Sequence, residues 1–131
     1  ISLIQKGGYL LSHEEDADIT LVASGSEVQL ILAAAKSIKN DGFKVNIVSI
    51  PCLDKFYLQD QTYRDSVVAP EIPKLVVEAL HPDSWHGLVN LNDKIIGMKT
   101  FGESAPAGEL MVKFGFTKEN IVAEAKKLLT K

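Results

Sequence analysis

The residues best suited by type to do chemistry stand in the run Gly102-Glu103-Ser104-Ala105-Pro106. A serine in such a setting is the start of a nucleophile elbow, G-x-S-x-G, in which flanking glycines let the backbone strain the serine into an exposed position between strand and helix. Here the fifth residue is Pro106, whose ring fixes φ and confines Ala105 to extended backbone, so the sharp turn is not expected. Elbow hydrolases also carry their acid and then their histidine after the serine. In this chain His13, His81 and His86 all precede Ser104. The simpler reading is a helix start, with Ser104 as its cap and Pro106 near its first position.

The other candidates weaken in the same way. Gly25-Ser26-Glu27 lies between a strand-like and a helix-like run, where a helix N-terminus can hold a phosphate. It lacks both G-x-G-x-x-G and the Lys-Ser/Thr of a P-loop, and Glu27 puts negative charge where the anion would sit, so helix capping is preferred. His81 and His86 are five apart, which turns them away from each other on a helix, and Asp83 is the only other nearby ligand type. Cys52 after Pro51 reads as a buried or half-buried small residue. Trp85 reads as a core or interface anchor. Glu14 to Asp18 is an acidic turn leading into the strand at Ile19. The residues taken alone therefore provide no catalytic, no cofactor-binding and no metal-ligating residue, and describe a non-catalytic module.

Composition agrees with a folded domain. The 131 residues carry 14 basic and 17 acidic side chains, a net charge of -3, and 46% hydrophobic residues. A chain of this size forms one domain, residues 1–131, and buries about two-thirds of its unfolded surface without help from metals or disulfides. Cys52 is the sole cysteine and cannot make an internal disulfide, which fits a reducing, cytoplasmic setting. No apolar run approaches the roughly 20 residues that span a bilayer, so no membrane role is expected. Mild acidity with dispersed lysines argues against nucleic acid. Because Ile1 leads straight into structured-looking sequence, the chain is expected to be a fragment of a longer polypeptide.

The elements that would position any site follow from periodicity. Ile19 to Ala23, Val45 to Ile50, Leu75 to Val77 and Lys94 to Met98 are short runs dominated by Val, Ile and Leu, as in strands covered on both faces. Tyr9 to Leu11 adds an edge strand. Between the first two runs, Ser26 and Gln29 form a capping box, Val28, Ile31, Leu32, Ala35 and Ile38 fall on one face, and Asn40-Asp41-Gly42 supplies the exit. This strand-helix-strand unit predicts two parallel strands. From Pro51 to Pro70, Phe56, Tyr63 and Val67 recur at helical spacing, a helical connection to the third parallel strand. His81 to Asp93 holds a short helix pinned by Trp85, Leu88 and Val89. Two helices close the chain, about Pro106 to Phe114 and Thr117 to Leu129, the latter with an apolar stripe of Ile121, Val122, Ala125, Leu128 and Leu129. The sum is an α/β fold of three layers, α/β/α.

Several motifs, in this order, resemble one family: Lys6-Gly7-Gly8-Tyr9-Leu10-Leu11, Ser24-Gly25-Ser26-Glu27-Val28, Gln59-Asp60 with Tyr63-Arg64-Asp65-Ser66-Val67, Val77-Glu78-Ala79, Phe101 to Leu110, and Phe114-Gly115-Phe116-Thr117. The chain resembles the C-terminal domain of transketolases of the bacterial type along nearly its whole length. Ser24, Cys52 and Val68-Ala69-Pro70 depart from that pattern in minor ways. The resemblance implies a five-stranded mixed sheet, four strands parallel and an edge strand antiparallel, with helices on both faces. It implies a parent enzyme of the pentose phosphate pathway that moves a two-carbon ketol unit from a ketose phosphate to an aldose phosphate. That parent uses thiamine diphosphate and magnesium or calcium, held with the sugar phosphates by preceding domains at a homodimer interface. The family's catalytic and binding motifs have no matching positions here, so the domain is expected to be inactive alone, to pack on the rest of its subunit, and to serve structure or regulation. The alternatives are the terminal domain of a deoxyxylulose-phosphate synthase or of a 2-oxo acid dehydrogenase beta subunit, and a free-standing interaction module.

Overall fold

The computed structural model describes residues 6–24, 27–78, 93–97 and 117–130. Strands β1 (Tyr9–Ser12), β2 (Ile19–Ala23), β3 (Val45–Ser49), β4 (Lys74–Glu78) and β5 (Lys94–Gly97) form one sheet in the order β1-β3-β2-β4-β5. β1 runs antiparallel to β3, and the pairs β3/β2, β2/β4 and β4/β5 are parallel. Every residue of β2, β3 and β4 is buried, which is why these runs read as continuous Val, Ile and Leu rather than alternating.

Helix α1 (Glu27–Asn40) follows β2 and returns the chain to β3. It packs with the C-terminal helix α4 (Lys118–Leu129) on one face of the sheet, where Ile31, Ala35, Ile38, Ile121 and Ala125 meet Ile19, Leu21, Val45 and Leu75. The other face carries α2 (Leu53–Tyr57) and α3 (Gln61–Val67), whose Phe56 and Val67 cover Val22, Val48 and Val76. Two helical layers thus enclose the sheet, as the sequence predicts.

One detail differs from expectation and two refine it. Leu32 does not belong to the buried stripe of α1; it is 38% exposed, and Ala34 takes the inward position. At about 100° per residue, Leu32 stands a quarter turn or more from Ile31, whereas Ala34, Ala35 and Ile38 bracket it closely. The expected helical connection from Pro51 to Pro70 is made of two helices, α2 and α3. Asp60 breaks it by accepting a hydrogen bond from Tyr63 N at 2.8 Å and so capping α3. The acidic turn before β2 is exposed at Glu15, Asp16 and Asp18, yet it is also anchored. Glu14 N donates to Asn46 Oδ1 at 2.8 Å, and Lys44 N donates to Asp18 Oδ2 at 2.7 Å. The helix starting at Pro106, the short helix before Asp93, Ser26 of the capping box and Met98 lie outside the described residues.

Thr117 caps α4 by accepting from Asn120 N at 3.1 Å. Glu124 on the same helix ties it to the sheet and to its own last turn, with Lys94 Nζ at 2.8 Å and Lys127 Nζ at 3.2 Å. The hydrogen bond from Lys94 is the largest influence on Glu124 and holds its carboxyl below the ordinary value of 4.5; burial opposes this, and Lys127 adds to the lowering. A carboxylate stabilised in the folded state contributes stability above its unfolded pKa and loses it as pH falls through the lower folded value. Stability against urea is therefore expected to drop below about pH 5 with a slope that Glu124→Gln reduces. Parallel pH profiles of the two proteins would show that the pair contributes nothing.

Candidate functional site

In an open parallel sheet, ligands bind outside the carboxyl ends of the strands where the strand order reverses. From β2 the chain moves to β3 on one side, and then returns to β4 on the other, so the reversal lies between β2 and β4. Ser24 directly follows β2 and Glu78 ends β4. Their side chains meet across that point, with Ser24 Oγ donating to Glu78 Oε2 at 2.6 Å. Glu27 opens α1 beside them, its backbone N–H donating to Ser24 O at 3.3 Å and its side chain buried.

The chemistry of this cluster is that of two buried carboxylates and a hydroxyl. Glu27 and Glu78 both have partners, so neither is an unpaired charge awaiting a ligand. The buried Glu27 side chain puts negative charge at the helix start, which opposes a phosphate there; Gly25 and Ser26 themselves lie outside the described residues. The Ser24 hydroxyl is engaged as a donor to the Glu78 carboxylate.

At the opposite, amino-terminal end of the sheet is a half-open cleft of about 480 Å³. Its walls include His13, Glu14, Asp16, Asn46, Ser66 and Ile72. Glu14 is already paired with Lys39 at 3.4 Å, and the acidic rim disfavours phosphorylated ligands. Below it, on the α2/α3 face, runs a buried polar row that periodicity does not reveal. Asn46, Thr20 and Lys74 are level in the parallel register and almost wholly buried. Lys74 Nζ pairs with Asp93 Oδ2 at 3.1 Å, both side chains being at most 3% exposed.

His81, His86, Asp83, Trp85 and Ser104 lie outside the described residues. Cys52 is a free, half-buried thiol at the start of α2 and makes no side-chain cap. Among the described residues, no group of three or more His, Cys, Asp or Glu is placed to hold a metal ion. Among them, too, no helix is long and apolar enough to cross a membrane.

Comparison with known proteins places the fold in a family. The family model of the transketolase-like TK C-terminal domain matches residues 7–117. The chain is 47% identical over 128 residues to transketolase 2 of Aliivibrio fischeri, an alignment covering 96% of this chain and 19% of that relative. Among solved structures, transketolase from Leishmania mexicana superposes with a TM-score of 0.87 at 37% identity, over 97% of this chain and 18% of that one. Transketolase from Pichia stipitis in complex with sedoheptulose 7-phosphate superposes with a TM-score of 0.84 at 35% identity, over 95% of this chain and 18% of that one. The chain thus spans under a fifth of the length of these relatives, as one domain of a larger subunit. A synthase or dehydrogenase parent, and a free-standing module, are not favoured by relatives that are transketolases by name. Fold, family match and sequence identity agree that this chain belongs to the transketolase-like C-terminal domain family.

Proposed function

We propose that the chain is the non-catalytic C-terminal domain of a cytoplasmic transketolase that works as a homodimer. The parent transfers a two-carbon ketol unit between sugar phosphates, in keeping with the sedoheptulose 7-phosphate complex of the Pichia stipitis relative. The observation that carries this reading is the coverage: 96% of this chain aligns at 47% identity with only 19% of a transketolase. Thiamine diphosphate would supply carbanion stabilisation in the parent. The described residues do not fit that cofactor or its divalent metal. They offer no ligand cluster, and carboxylates occupy the crevice between β2 and β4 where a diphosphate would need donors. No step of the reaction is assigned to this domain. Its role is to fold, to pack on the remaining domains of its subunit, and in that way to support the assembly.

Calorimetric titration of the isolated 131-residue chain with thiamine diphosphate and magnesium is expected to give no binding heat, while the full-length enzyme binds. Stoichiometric binding by the isolated chain would sink the proposal.

A further inference from the structure

Lys6-Gly7-Gly8 carries part of the family resemblance but no part of the proposed chemistry. The structure fastens it in four ways before β1 begins. Lys6 Nζ lies 4.3 Å from the centre of the Tyr63 ring. Cys52 N donates to Gly7 O at 3.0 Å. Tyr63 Oη donates to Gly8 O at 2.7 Å. Gly8 lies so close to Ile50 and Phe56 that a Cβ there would come within 2.8 and 2.9 Å of their side chains. Tyr63 itself is held edge-on against Phe56, with ring centres 6.3 Å apart.

Such fastening is unusual at the point where a chain runs into a domain, because terminal segments fray unless tied down, and domains joined by a linker move relative to one another by default. We propose that Lys6 to Gly8 is a clasp, closed by Tyr63, that fixes the entry to β1 on α2 and α3 and opens as a local unit without unfolding the sheet. Closed, it holds the entry to β1 against Ile50 and Phe56. Open, it frees Lys6 to Gly8 from α2 and α3 while β1 stays paired with β3. The inference rests on the reading of this chain as the C-terminal part of a larger subunit, but its test does not involve cofactor binding, so the two can fail separately.

The clasp consists of weak contacts, so one deletion shifts its equilibrium measurably. Tyr63→Phe keeps the ring under Lys6 and removes only the hydrogen bond to Gly8. In the full-length subunit it is expected to speed hydrogen exchange of the Cys52 amide, which bonds to Gly7, about fivefold. Thr117→Ala removes the cap of α4 on the opposite sheet face and serves as a control of similar stability cost. It is expected to leave exchange at Cys52 unchanged. Trypsin should cleave after Lys6 faster in Tyr63→Phe by a similar factor. If Thr117→Ala speeds Cys52 exchange as much as Tyr63→Phe does, the segment opens only with the whole domain and the clasp is overturned. Unchanged exchange at Cys52, or cleavage after Lys6 that does not respond to Tyr63→Phe, overturns it as well.

Discussion

Asp93→Ala is expected to destabilise the domain by about 3–5 kcal/mol, as large as any single truncation of a core side chain. Asp93 precedes β5, and the register that pairs Leu75 with Lys94 brings it level with Lys74 at the start of β4. One carboxylate then does two things. Its Oδ1 accepts from Lys74 N at 2.8 Å, and its Oδ2 faces Lys74 Nζ at 3.1 Å. The ammonium is 1% exposed, and its other close acceptor is the carbonyl of Ile72 at 3.3 Å. Removing the carboxylate leaves a positive charge out of water without its counter-charge, which costs far more than the intact pair contributes. Asp93→Asn keeps an oxygen for the backbone N–H and removes the charge, so it should cost less than alanine. Combining Asp93→Asn with Lys74→Met removes both charges while preserving that backbone bond, and is expected to recover most of the loss. Urea denaturation of the wild type, Asp93→Asn, Lys74→Met and the double variant as a double-mutant cycle measures the coupling. A loss below about 1 kcal/mol for Asp93→Ala would mean that Lys74 reaches water when its partner is removed.

That pair marks where sequence reading stops. The strands at Ile19, Val45, Leu75 and Lys94 are legible because strands buried on both faces must be apolar throughout, and the stripe of Ile121, Ala125 and Leu128 is legible because one helix face meets the core. Both signals are local. Lys74 and Asp93 are 19 residues apart, and Ser24 and Glu78 are 54 apart. Each pair forms because a particular strand lies beside another, and chain order alone does not say that β4 returns to the far side of β2. Polar residues at strand ends therefore look solvated in sequence and prove buried in the fold. Leu32 fails for the opposite reason: a large apolar residue on the flank of a helix is counted inward by type, although the small Ala34 is what the close approach of α1 to the sheet admits. The break at Asp60 was available in principle. An aspartate followed three residues later by the N–H it caps is a local signal, hidden here by the longer recurrence of Phe56, Tyr63 and Val67. The expectation that Ser104 is no nucleophile rests on Pro106 in the sequence alone, whereas the family came from motif order and not from the chemistry of any residue.

The two described glycines with left-handed backbone should respond very differently to alanine. Gly7 has φ +87° and Gly42 has φ +96°, so an L side chain is strained by about 1–2 kcal/mol at either place. At Gly42, beyond the end of α1, an added Cβ meets nothing within 4 Å, and the backbone term is the whole cost. At Gly7 the same atom would overlap Cys52 O and Phe56 N and press on Lys55. Two of those neighbours are backbone at the first turn of α2, so neither can turn aside as a side chain would. Relief requires α2 to move off the sheet, which would pull the fully buried Phe56 from its place against Val22, Val48 and Val76. Adding an overpacking cost of about 1–3 kcal/mol brings Gly7→Ala to about 2–5 kcal/mol, against about 1–2 kcal/mol for Gly42→Ala. Urea midpoints of the two variants decide the matter. Equal losses would show that α2 yields freely, and with it that the segment from Lys6 to Gly8 is held by a surface able to give way.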